Sequence, residues 1–524
     1  MLLPKGLLYA ARSYPDKIAV VGGNHRYSYQ QLEIRTAKVK ASLSKLGAKK
    51  GDRIGLLLLN DFRYLELMYG ATALGAIIVP MNTRFSVEEH IYVLEDAGVE
   101  ILYVNKEFLT LIPEIQKRVP TIRHIILAED ENDQALLENK QVESYEKLLV
   151  SEPIEILTYD DIHEEDIAGL FYTGGTTGRS KGVMLSHKSL VANAMHVVIN
   201  FKNKKEDIYL HAAPMFHLAD QASTFAVTLT GGTHVTLRQF TPKGFLEIVE
   251  QERVSMTMLV PTMINMILHS ADFEKYDTSS LQFILYGASP MATELLKKTM
   301  NLLPRISLIQ AYGMTEAAPI LTLLLPEDHN VSNEQNEKRL TSCGKPVQLV
   351  DMKVVGPDGN ELPTNEIGEF VARGPNIMNG YWRLEDETSK VLQDGWYSTG
   401  DMGYMDEDGY FYVVDRAKDM IISGGENVYS VEVEQALYMH PAVLECAVFG
   451  APDKEWGEVV RAAVVLKPGV TSSEEEILTF LRTKVANYKV PKSIEFLLEL
   501  PKSGAGKILK RVIRDQFIKQ PVNE

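Results

Sequence analysis

The sequence predicts an α/β protein, with a large N-terminal domain of layered α/β sheets (residues 1–414) and a small α+β C-terminal domain (residues 415–524). Three observations carry this expectation. A chain of 524 residues is long enough for two or more sizeable cores. Between residues 53 and 313 short apolar runs alternate with helix-period segments. After Gly344 the pattern shifts to hairpins, and beyond Asp415 to mixed helix and strand over about 110 residues, an ordinary domain size.

The runs 53–59, 168–172, 208–213, 254–260, 283–286 and 307–311 are apolar along their length, as expected of strands covered on both faces in largely parallel sheets. Helical periodicity follows several of them, as at 294–303, and 219–229 has the same character. The stretch 128–146 is rich in Glu, Asp, Asn and Gln, and predicts an exposed excursion. Asp406-Glu407-Asp408-Gly409, between 402–405 and 411–414, predicts a hairpin turn. Past Asp415, helices are expected at 431–439 and 473–483, and strands at 446–449, 461–466 and 494–498. No internal repeat interrupts this order.

Composition narrows the function. At 45% hydrophobic and 24% charged residues the chain is of ordinary globular make-up. A formal charge of −16 repels nucleic acid and anionic membrane, so any bound phosphate needs a local site. Cys343 and Cys446 make neither a disulfide framework nor a zinc site and fit a reducing cytoplasm. No segment reads as a signal peptide or a transmembrane span. Assembly state is left open, a homodimer included.

Five segments carry chemistry. In Thr173-Gly174-Gly175-Thr176-Thr177-Gly178-Arg179-Ser180-Lys181-Gly182, glycines let backbone approach a phosphate, hydroxyls donate to it and Lys181 adds charge. It is not a Walker A loop, because Gly follows Lys; a plain Gly/Ser/Thr loop has a similar make-up. Tyr312-Gly313-Met314-Thr315-Glu316 offers a ring for a base, a hydroxyl for a phosphate and a carboxylate for Mg²⁺, a hard cation that prefers oxygen; taken alone it is equally a turn. Asp401 could accept both hydroxyls of a ribose and Arg416 could brace the sugar, or they are a turn residue and a surface charge. Near the end of the chain, Lys507 follows the Gly/Ser segment Ser503-Gly504-Ala505-Gly506; most such lysines are solvated.

Together and in this order, the five segments resemble the adenylate-forming superfamily of acyl- and aryl-CoA synthetases, nonribosomal peptide adenylation domains and firefly luciferase. The resemblance runs over nearly the whole chain. It implies that Thr173, Gly174, Gly175, Thr176, Thr177 and Lys181 cradle pyrophosphate, and that Gly287, Ala288, Ser289, Tyr312 and Gly313 form the adenine site. It further implies that Thr315 meets the α-phosphate, Glu316 holds Mg²⁺, and Asp401 and Arg416 anchor the ribose. Asp415 would be the hinge, and Lys507 the catalytic lysine of a mobile C-terminal domain. Pro214-Met215-Phe216-His217 resembles the acyl-site motif of CoA ligases; amino-acid-activating members usually carry an aspartate in place of His217. Ser423, Gly424 and Gly425 resemble the lining of a pantetheine tunnel, where two glycines leave room for CoA. The loop departs from the family pattern at Gly174 (usually Ser) and Ser180 (usually Pro), which removes one hydroxyl donor and loosens it.

Chemistry agrees with this set. A carboxylate is a poor acylating agent until joined to AMP, and the α-phosphorus transition state gathers negative charge that fixed cations must meet. The carboxylate is itself the nucleophile, and the chain has no G-x-S-x-G elbow. The expected activity is therefore ATP-dependent acid–CoA ligation. Segment 219–229 would wall the acyl pocket; it has small residues and no Arg or Lys for a second carboxylate. A medium- to long-chain fatty acid is the expected substrate, and an aryl acid of the benzoate, cinnamate or ferulate type the alternative. Loading of a carrier protein, or a non-catalytic nucleotide- or acyl-binding relative, are the remaining readings.

Overall fold

The computed structural model describes residues 1–130, 142–159, 161–173, 179–289, 291–331, 333–416, 419–423, 426–453, 456–502 and 508–518. Among these residues the strands form four sheets. The first has nine strands, in the spatial order Lys345–Pro346, Ile320–Leu324, Ser307–Gly313, Phe283–Gly287, Met256–Leu259, Ile208–His211, Thr233–Thr236, Ile18–Gly22 and His25–Ser28. Its centre is parallel, with Leu285 opposite Ile309 and Met258 opposite Leu285. Four of the apolar runs seen in the sequence, 208–213, 254–260, 283–286 and 307–311, supply these central strands, and runs 53–59 and 168–172 supply strands of the second sheet.

The second sheet has eight strands, parallel from Ile167–Thr173 through Ile77–Pro80 and Arg53–Leu57 to Glu143–Ser144. Its other side is closed by antiparallel Lys181–Ser186 and Gly380–Tyr381. Helices between strands start and stop on local signals. Ser86 and Glu89 form a reciprocal cap on Val87–Ala97, and Gly98 ends that helix in a left-handed conformation.

The excursion expected at 128–146 needs correction at both ends: Ala128 and Glu129 are buried, while residues 131–141 lie outside the described residues. Glu143–Ser144 is an edge strand, and Tyr145 is buried with its hydroxyl donating to Glu66 Oε2 at 2.5 Å. Glu146 accepts from Arg35 and from buried Arg63, so it is a counter-ion of two guanidiniums rather than a solvated charge.

The third sheet is antiparallel, built on Asp351–Val355, Gly368–Arg373, Trp396–Met405 and Phe411–Arg416. The predicted hairpin turn is present, with Asp406 N–H donating to Tyr410 O at 2.9 Å. Phe370 packs edge-on against both Tyr312 and Phe411, with centroids 6.2 and 5.3 Å away, and so joins this sheet to the first. The small C-terminal domain carries the fourth sheet, in which Val443–Asp453 pairs with Gly457–Leu466, flanked by helices Ser430–Tyr438, Glu474–Arg482 and Lys510–Ile518. Its core is separate, formed by residues such as Val433, Val448, Val464 and Leu481.

Candidate active site

The glycine-rich segment is flanked by two strands that pair antiparallel. Thr173 ends one strand opposite Lys181, which begins the next. Gly174, Gly175, Thr176 and Thr177 lie outside the described residues. Tyr92 donates to Ser180 O at 2.9 Å and fixes the returning arm. Lys181 Nζ bonds Glu387 Oε2 at 2.7 Å and lies 4.9 Å from the centroid of the Tyr381 ring. Lys181, and then Lys390, hold the Glu387 carboxyl well below its usual range, at about 2.

The second segment meets this hairpin through Tyr381. The Tyr381 hydroxyl donates to Glu316 Oε1 at 2.9 Å, and its backbone pairs with Val183. Burial, and then the Glu316 charge, raise the Tyr381 pKa, which keeps it a neutral donor. Asn376 donates to the carbonyls of Ala317 and Ile320 at 2.7 and 2.8 Å and fixes the short 3-10 turn Thr315–Ala317. Gly313 is required by packing: a Cβ there would sit 1.9 Å from the carbonyl oxygen of Pro319. At Gly287 a Cβ would lie 2.2 Å from the carbonyl oxygen of Ala311 on the neighbouring strand.

Tyr312, Asp401 and Arg416 form one line. The Tyr312 hydroxyl donates to Asp401 Oδ2 at 2.7 Å, and Arg416 Nε contacts Asp401 Oδ1 at 3.1 Å. Asp401 and Arg416 are cross-strand partners. The carboxylate is buried while the guanidinium is partly exposed, so the pair presents its charge at an opening.

Strands 208–211, 256–259, 283–287 and 307–313 are parallel neighbours, so their carboxyl ends share one edge. This edge gathers His217, Gly287, Ala288, Ser289, Tyr312 and Gly313, the position at which α/β sheets place ligands. Ala288 adopts φ = 63°, unusual for a residue with a Cβ. His217 is the N-cap of helix Leu218–Thr230, and its Nδ1 accepts from Ala219 N–H at 3.1 Å.

In the C-terminal region, Asp415 is buried and accepts from Ser430, and Ser423 ends strand Ile421–Ser423. None of the described contacts joins Ser423 to the Tyr312–Asp401–Arg416 line. Gly424, Gly425 and Lys507 lie outside the described residues. These also hold no cluster of three or more acidic, His or Cys side chains suited to a metal. Glu316 is thus a single carboxylate, which fits Mg²⁺ held mainly by substrate phosphates rather than by a protein cage.

A family model described as "AMP-binding enzyme" matches residues 7–382, and one for the "AMP-binding enzyme C-terminal domain" matches 432–507. The chain belongs to the family of AMP-binding enzymes. This AMP-binding enzyme is similar to a feruloyl-CoA synthase of Amycolatopsis sp, at 38% identity over 97% of each chain. It is also similar to a long-chain-fatty-acid–CoA ligase of Bacillus subtilis (strain 168), at 33% identity over 97% of this chain and 93% of the relative. The crystal structure of the anthranilate CoA ligase AuaEII in complex with anthranoyl-AMP superposes with a TM-score of 0.90 and 28% identity, covering 98% of this chain and 97% of that one. No helix among the described residues is long and apolar enough to cross a membrane.

Sequence reasoning missed several residues of this AMP-binding enzyme. Tyr381, Glu387 and Asn376 touch the site through contacts that cross as many as 206 residues of chain. A second group clamps helix 218–230. Asp220 accepts from Tyr209 at 3.0 Å and from His211 Nδ1 at 2.6 Å; His211 Nε2 meets His234 Nδ1 at 3.0 Å, and His234 Nε2 meets Thr228 at 2.9 Å. Burial, and then neighbouring His211, push the His234 pKa far down, so that ring is neutral. The only signal in the sequence was unusual polarity, Asp220 and His234 inside otherwise apolar or small-residue segments.

Proposed function

We propose that this protein is an ATP-dependent acid–CoA ligase acting in two half-reactions at one site. The observation that carries this reading is a pair of contact sets, Glu316 and Lys181 on Tyr381 and the line Tyr312–Asp401–Arg416, built on the motif residues Lys181, Tyr312, Glu316, Asp401 and Arg416. Segments distant in the sequence thereby gather two phenol rings with their hydroxyls, two carboxylates and two cations. Adenine would lie by Tyr312 and Gly287–Ser289, ribose on Asp401 and Arg416, and pyrophosphate on Thr173–Lys181. Bound through Glu316, Mg²⁺ would neutralise phosphate charge. In the first step a carboxylate oxygen of the acid bonds to the α-phosphorus as the bond to the β-phosphate oxygen breaks. Thr315 and Lys507 would meet the charge that develops there. In the second step the CoA thiol, losing its proton, attacks the acyl carbon and AMP departs; Ser423, Gly424 and Gly425 would line the thiol's path. Asp415 would be the pivot between the steps, at the boundary of domains 1–414 and 415–524.

The acid is a medium- to long-chain fatty acid in this reading, accommodated beside Ala219 and His217. An aryl acid of the ferulate type is the second reading, favoured by the 38% identity to a feruloyl-CoA synthase. A cytoplasmic place fits the two free cysteines. Acid-dependent ATP–pyrophosphate exchange tests the proposal, run over a panel of fatty and aryl acids, followed by thioester formation with CoA or with a phosphopantetheinylated carrier protein. Exchange with at least one acid and transfer to CoA are expected. Absence of exchange with every acid would favour the non-catalytic reading, and transfer to the carrier alone would make the protein a carrier-loading enzyme.

A further inference from the structure

The pivot carboxylate is held from the C-terminal side by a buried polar cluster. Asp415 Oδ1 accepts from Arg416 N–H at 2.8 Å and from Ser430 Oγ at 3.1 Å, while Oδ2 accepts from Ser430 N–H at 2.5 Å. Ser430 is fully buried and begins helix Ser430–Tyr438. Its Oγ also accepts from Lys510 Nζ at 2.5 Å. Lys510 in turn pairs with Glu434 Oε1 at 2.8 Å, and the same oxygen accepts from Val448 N–H at 2.8 Å. One ammonium thus bridges two carboxylates through a hydroxyl and a direct contact, deep enough that removing it would leave uncompensated negative charge.

Lys510 also stands at a particular place in the chain, three residues beyond Lys507 and at the start of helix Lys510–Ile518. The strands on either side of segment 503–507 are fixed to each other and to the domain. Lys502 bridges Ile508, Leu509 N–H donates to Pro501 O at 2.8 Å, and Lys502 Nζ reaches Glu445 at 2.6 Å. These contacts hold the root of the segment against strand 443–453. Lys510 connects that root, through Ser430, to the residue about which the domain would turn.

We infer that Lys510 is a positioning residue: through Ser430 it ties residues 508–510, the chain that follows Lys507, to the Asp415 carboxylate. The inference rests on the proposed roles of Asp415 and Lys507. A cation reaching an α-phosphate must be placed to within about an ångström, and misplacement by that much costs about a hundredfold in rate. The adenylation half-reaction should therefore be sensitive to Lys510, whereas acyl transfer from supplied acyl-AMP, which does not need Lys507, should not.

The experiment compares Lys510→Met, Lys510→Arg and Ser430→Ala with the parent protein in three measurements. These are acid-dependent pyrophosphate exchange, CoA acylation from synthetic acyl-AMP, and hydrogen exchange of the Leu509–Ile513 amides. For Lys510→Met, kcat for adenylation should fall by about tenfold to a hundredfold at nearly unchanged KM for ATP, while acyl transfer stays within about twofold. Exchange at Leu509–Ile513 should speed up. Lys510→Arg should recover most of both, because it restores a buried cation, and Ser430→Ala should move both in the same direction by less. Normal adenylation with unchanged amide exchange in Lys510→Met would overturn the inference, and so would equal loss in the two half-reactions alongside a lowered Tm. If the parent protein adenylates no acid, the proposed function fails separately, and amide exchange still decides whether Lys510 fixes the root of the segment.

Discussion

Glu316 shows how much a single side chain is asked to do. Its Oε1 accepts from the Tyr381 hydroxyl, which orients the carboxylate. Glu316→Gln keeps the shape and loses the charge. Adenylation, which gathers negative charge on phosphate, should fall by on the order of a hundredfold, and thioester formation by less. Normal adenylation with the same magnesium dependence would reduce Glu316 to a partner of Tyr381. At this scale the sequence was informative about motif residues and silent about their supports. Glu316 and Asp401 stand in short, recognisable strings; Tyr381 and Asn376 do not, because their meaning lies in partners brought near by sheet closure.

At the scale of elements, the strands were legible because burial on both faces leaves an unbroken apolar run. Run 283–286 became strand Phe283–Gly287, and run 307–311 became Ser307–Gly313. The acidic stretch 128–146 was misread at its ends, since Glu129 answers Arg238 and Glu146 answers Arg35 and Arg63, all far away in sequence. Helix Leu218–Thr230 brings an element-scale prediction. Both of its ends are pinned to strands by the Asp220–His211–His234–Thr228 chain, so it cannot retreat from added bulk. Ala222 faces the core at 2% exposure, and a large residue there would strain packing. Ala219, one turn nearer the His217 cap, is only partly buried and is the better probe. Ala219→Phe should shift acid preference towards shorter or slimmer acids by about tenfold in relative kcat/KM. An unchanged preference across the acid panel would move the acyl pocket away from this helix.

For the whole molecule, buried histidines set an acid limit. His90, His187 and His196 are buried, and burial holds each imidazole at about 4. In His187 the Nδ1 accepts the Leu3 amide, so protonation there would also break that bond. Unfolded imidazoles titrate near 6.5, so between about 6.5 and 4 the unfolded chain binds more protons than the folded one. Stability should be complete above about pH 6.5 and fall through this window, by up to about 1.4 kcal/mol per pH unit for each group. Urea unfolding at several pH values should show this slope, and His90→Gln should flatten it by about one proton. Identical slopes in both proteins would mean that His90 already titrates normally when folded.

The contact between Lys181 and Glu387 bears on turnover. Before nucleotide arrives, the ammonium at the hairpin already has an anion, carried on a short helix of the same chain. A triphosphate taking Lys181 would therefore exchange one counter-ion for another, and its net electrostatic gain is the difference between two attractions. In the proposed reaction the exchange would run backwards at the exit: with pyrophosphate cleaved free, Glu387, tethered nearby, would reclaim the lysine at high effective concentration. A protein using Lys181 in the proposed way would hold its nucleotide less tightly than its count of cations suggests and would clear its first product faster.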